Sequence, residues 1–170
     1  MRFDPSAADA HGFPVPTWLT PLSATLVHGG WAHLGLNLVM FVYCGAQVER
    51  VLGARGLVVL YLVGGYAAGA AQWASDPTAI TPMIGASGAI SAVVAAYALL
   101  FGQRQAKGIG PVPARVVHVL WLAAAWIGIQ LLIGLAGMMG GAIAIFAHIG
   151  GFLSGLVLTR PLLLWRWRGA

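Results

Sequence analysis

Charge is what this sequence lacks. Nine Lys and Arg and four Asp and Glu make up 8% of the 170 residues, against about 25% in an ordinary soluble domain. A water-soluble fold needs charge across its surface, so that class is excluded. The apolar share of 59% excludes disorder, which needs low hydrophobicity. Cysteine is nearly absent too. Cys44 stands alone, so no intrachain disulfide can form and no thiolate metal cluster is expected. The net charge of +5 does not make a nucleic-acid binder. The basic residues fall in short breaks between apolar runs rather than in a stripe, and no nucleic-acid partner is expected. What remains is an all-α polytopic membrane protein whose first partner is the lipid bilayer.

Uncharged stretches locate the spans. No Asp, Glu, Lys or Arg occurs in 10–48, 56–75, 77–103 or 116–159. A helix needs about 20 residues to cross a hydrocarbon core of about 30 Å. Spans are predicted near Trp31–Gln47, Leu57–Trp73, Ile84–Phe101, Val116–Leu135 and Ala142–Leu158, the last two divided by a Gly-rich turn around 135–141. That gives about five transmembrane helices, each satisfying its own backbone hydrogen bonds in lipid. Residues 1–17, with Asp4, Asp9 and three prolines, form neither a signal peptide nor a span.

Basic residues orient the bundle. Arg50 and Arg55 follow the first span, Arg104, Lys107 and Arg115 the third, and Arg160, Arg166 and Arg168 the fifth. The other two breaks carry only Asp76 or nothing. Positive-inside puts the C-terminus in the cytoplasm. Three segments are expected: an extracytoplasmic polar segment 1–30, one transmembrane domain 31–160, and a basic, Trp-containing cytoplasmic tail 161–170. Loop composition favours a bacterial-type plasma membrane.

Polar side chains inside spans are costly and point to function. The first span opens with His28, His33 and Asn37 in HGGWAHLGLN, the third with Gly85-Ala86-Ser87-Gly88, and the fifth carries His148 in AHIGGFLSG. All three spans run the same way, and each of His33, Ser87 and His148 lies near its span's outer end. At about 1.5 Å per residue they sit at most about 10 Å below the outer surface, at one level. Gly151 and Gly155 share a helix face with His148, and Ser87 shares one with Ser91 and Ala95. Small faces of this kind let two helices approach closely.

The chemistry these residues allow is nucleophilic acyl transfer. A serine hydroxyl needs a base to take its proton. Ser87 is the candidate nucleophile and His148 the candidate base, a dyad with no carboxylate near enough to orient the ring. Ser87 opens a helix, where backbone N–H groups face outward. Those groups, with His33 and Asn37, could form an oxyanion hole. Gly85 and Gly88 permit a tight entry. The chemistry calls for no cofactor.

These residues together resemble the rhomboid family of intramembrane serine proteases. The three motifs stand in order across nearly the whole chain, from about Trp18 to Leu158. The resemblance implies a rhomboid-like helical bundle with a cavity open to the outer side, Ser87 as nucleophile and His148 as base. It implies His33 and Asn37 as oxyanion residues, the Ala86 backbone as a further donor, and His28 as the first histidine of the family's motif. Gly85 and Gly88 match the GxSG glycines, and Gly151 belongs to the closely packed histidine helix. The implied partners are transmembrane protein substrates, and the helix with Trp121 and Trp126 matches a lateral gate. Two departures stand out. The family core has six spans, and its first should precede Trp18; the expectation is a chain that is truncated or begins at a late methionine. Many members also carry an aromatic residue where this chain has Ser91.

Other functions fit the same residues less well. A rhomboid-like protein that binds transmembrane clients without cutting them would keep the fold and lose the reaction. A transporter with a histidine-lined path has no use for a serine at a helix start. A His28/His33/His148 metal site leaves that serine unexplained. His118 is expected near the interface beside Arg115.

Overall fold

A computed structural model describes residues 15–79, 82–102, 107–136 and 144–168. Within them the chain is helical: α1 (Thr20–Ser23), α2 (Trp31–Ser75), α3 (Ser87–Phe101), α4 (Ala114–Ala136) and α5 (Ile145–Arg166). The described residues form no strand, only a tight reversal in which Ile109 and Val112 exchange backbone hydrogen bonds of 3.1 and 3.0 Å. The 1–14 part of the N-terminal segment, Arg104, and most of the Gly-rich 135–141 turn lie outside the described residues.

The 45-residue α2 is two arms. Gly53 takes φ +75° and ψ 164°, a break that favours glycine. Phe41 and Tyr61 rings meet at 5.4 Å between centroids. Twenty residues apart on one straight helix, they would be separated by about 30 Å. The arms therefore fold back against each other, with the sharp reversal at Gly53.

By length and composition, α2 and α5 are the helices long and apolar enough to cross a bilayer among the described residues. The expectation of about five crossings is met only in part. The third predicted span begins at Ile84, but Gly85 at φ +104° is not helical, so α3 starts at Ser87. Its 15 residues rise about 22 Å, short of the hydrocarbon thickness. In contrast, α5 runs through Pro161 to Arg166.

Packing is by small residues. The α3 positions Ala89, Ala92, Ala95 and Ala96 are fully buried, and α2, α3 and α5 all pack against one another. A Cβ at Gly155 would overlap the Ala92 carbonyl, and one at Gly151 the Gly88 carbonyl. Outward positions are large and apolar: Trp31 is 88% exposed and Val157 71%. A water-facing surface would not carry these at so many positions, whereas lipid accepts them. His118 is buried, with its ring beside Gly102 at the end of α3.

Asp76 ends the second arm. Its Oδ1 accepts the Thr78 hydroxyl at 2.8 Å and the Thr78 N–H at 3.0 Å. The bond from the Thr78 side chain, then that from its backbone, holds the carboxyl below the usual carboxylate range.

Candidate active site

Ser87 is the first residue of α3. The positive φ of Gly85 turns the chain so that Ser87 enters the helix with its side chain toward α5. Its Oγ lies 2.7 Å from Nε2 of His148. Both residues are half-buried, and 61 positions separate them in sequence. Gly151, one turn after His148, makes the approach possible, since any side chain there would strike the Gly88 backbone. Gly88 itself faces Ala68 and Ala147. The expected small-on-small contact of the two helices is thus present in the geometry.

His33 packs directly on Gly85. A Cβ at Gly85 would stand 2.6 Å from both Cε1 and Nε2 of the ring. The Gly29 N–H donates to Nδ1 of His33 at 3.4 Å. With Nδ1 accepting, the neutral ring carries its proton on Nε2, the atom that faces Gly85. The His28 ring meets His33 edge-on at 5.1 Å, and its Nε2 is buried with no hydrogen-bond partner among the described residues. Asn37 is buried, and its Nδ2 donates to the His33 carbonyl at 3.0 Å. Its amide is therefore engaged with its own helix.

Other contacts surround the pair. Ser91 Oγ donates to the Ser87 carbonyl at 2.8 Å, so it is held by backbone rather than stacked on the imidazole. Trp126 Nε1 donates to the His148 carbonyl at 3.3 Å, and its ring stacks on Phe152 at 4.8 Å. Gln72 Oε1 accepts the Ala147 N–H at 3.3 Å. Gln72 was not among the candidates; a neutral amide in an apolar helix has no diagnostic spacing. A small cavity beside Ser87 is lined by Pro21, Thr25, Met83, Gly85 and Ala147. It adjoins an apolar cavity of about 190 Å³ that shares Pro21 and Met83.

A serine hydroxyl against an imidazole, beside a helix N-terminus and a histidine N–H, is suited to acyl transfer. Comparison with known proteins gives a family match of the same kind. The rhomboid domain pattern matches residues 16–165. Rhomboid protease GlpG of Pectobacterium atrosepticum is 32% identical over 156 residues, covering 90% of this chain and 51% of that protein. Rhomboid-type serine protease 2 of Emericella nidulans is 30% identical over 156 residues, 85% of this chain and 27% of that protein. Human rhomboid-related protein 3 is 37% identical over 76 residues, 45% of this chain and 18% of that protein. The chain spans about half the length of the bacterial relative it matches.

Proposed function

This chain belongs to the rhomboid family, an integral membrane protein with apolar helices, and we propose that it is an intramembrane serine endopeptidase cutting transmembrane-segment substrates. The observation that carries the proposal is the 2.7 Å contact between Ser87 Oγ and His148 Nε2. Relatives named as rhomboid proteases support the same chemistry.

In this mechanism His148 Nε2 accepts the Ser87 proton as Oγ attacks the scissile carbonyl carbon. The carbonyl π pair moves onto oxygen and forms an oxyanion. Backbone N–H groups of Ala86 and Ser87, the His33 Nε2–H and Asn37 are assigned to bind that oxygen. Collapse expels the amine, which takes its proton from His148, and leaves an acyl ester on Ser87. Water, deprotonated by His148, then attacks the ester and restores the serine. His28, Gly85, Gly88 and Gly151 support the site through packing. One of the two Nδ2 N–H groups of Asn37 donates to the His33 carbonyl in the resting state, which leaves the other for the oxyanion.

The proposed topology has five crossings: the two arms of α2, then α3, α4 and α5. The arginines 50, 55, 160, 166 and 168 would mark the cytoplasmic side, in a bacterial-type plasma membrane. The test is cleavage of a transmembrane test substrate by the chain in lipid vesicles. The wild type should cut it, while Ser87→Ala and His148→Ala should not, with helical circular dichroism unchanged. Full cleavage by Ser87→Ala would overturn the proposal. Capture of the substrate without cleavage by the wild type would establish client binding instead.

A further inference from the structure

We infer that Gln72 is a positioning residue for His148, acting through the backbone of Ala147; the inference rests on the protease reading above. Gln72 lies three residues before the end of α2. Ala147 is the third residue of α5, immediately before His148, and is 2% exposed. The first N–H groups of a helix have no carbonyl behind them. The His148 N–H finds the Ala144 carbonyl at 3.2 Å, whereas the Ala147 N–H reaches across to the Gln72 side chain. A buried amide has no water to fall back on. The start of α5 is therefore tied to the second arm of α2 at the residue beside the imidazole.

Glycine makes this link possible. A Cβ at Gly150 would overlap Ala71 and come within 2.7 Å of the Ala67 carbonyl, so α5 runs against the arm that carries Gln72. Ala147 also packs toward Gly88, one residue from the nucleophile. A twist of α5 that broke the Gln72 bond would carry His148 away from Ser87. Misplacement by about 1 Å can cost on the order of a hundredfold in rate.

Two substitutions in the full chain in vesicles separate positioning from packing. Gln72→Met keeps length and apolar bulk but loses the acceptor. Gln72→Glu keeps the acceptor, in a place where a helix N-terminus favours negative charge. Gln72→Met should lower kcat by about tenfold to a hundredfold with KM unchanged, and its Ala147 amide should exchange faster with solvent. Gln72→Glu should restore most of kcat and the protection. Wild-type kcat in Gln72→Met, or a Gln72→Glu as slow as Gln72→Met, would overturn the assignment. If Gln72→Met fails to fold, amide exchange in the wild type decides, and an unprotected Ala147 amide overturns it. An inactive wild-type chain would overturn the protease reading; an unprotected Ala147 amide or an indifferent Gln72→Met would overturn only this one.

Discussion

Ser87 Oγ and His148 Nε2 stand 2.7 Å apart, although they belong to different helices and are 61 residues apart in the chain. Nothing local brings them together. The contact depends on Gly151 lying against the Gly88 backbone, and on Gly85 turning the chain just before the serine. Packing and chemistry are therefore coupled, and substitutions at either glycine should be felt at the dyad.

Gly151→Ala places a methyl group on the Gly88 carbonyl. Both partners are backbone, so neither can yield by changing rotamer. The expected cost is roughly 1–3 kcal/mol of stability, with loss of cleavage as the two helices separate. Thermal unfolding in detergent and a cleavage assay check both parts.

Gly85→Ala meets two obstacles. The residue sits at φ +104°, a conformation costing L-residues roughly 1–3 kcal/mol. Its new methyl group would also push on the His33 ring. Activity should fall more steeply than thermal stability, because the displaced ring is the assigned oxyanion donor. A variant that melts early yet cleaves at full rate would break the link between Gly85 and His33.

His33→Ala should lower kcat on the order of 10²–10³-fold, as loss of one oxyanion donor does. Asn37→Ala should cost less, because one of the two Asn37 amide N–H groups holds the His33 carbonyl and fixes the direction of the other. Steady-state kinetics on one test substrate rank the two. An Asn37→Ala loss exceeding that of His33→Ala would reverse the assignment.

Trp126→Phe keeps an aromatic ring to stack on Phe152 and removes the N–H given to the His148 carbonyl. One neutral hydrogen bond contributes about 1 kcal/mol, so stability should fall by that order, with a modest drop in kcat. Unfolding and single-turnover rates measure these effects.

The candidate site is legible in the sequence wherever polar groups interrupt apolar runs. His33, Ser87 and His148 are conspicuous because lipid penalises them, and their similar depth made their meeting a testable expectation. The reversal between the first two predicted spans was legible too, from Arg50 and Arg55, although its pivot at Gly53 was not. The start of α3 was placed at Ile84, since hydrophobicity does not report the positive φ of Gly85. The burial of His118 is not legible, because it comes from tertiary packing beside Gly102. Gln72 and Trp126 were invisible as partners of the α5 backbone, because backbone hydrogen bonds to another helix leave no periodicity.

Labelling with a serine-directed fluorophosphonate, followed by mapping of the modified residue, tests most directly whether the Ser87 hydroxyl is an activated nucleophile. The account predicts one adduct, on Ser87, absent in Ser87→Ala and greatly slowed in His148→Ala. An adduct formed equally well by Ser87→Ala, or a wild-type chain inert to the reagent under conditions where it is folded, would contradict it.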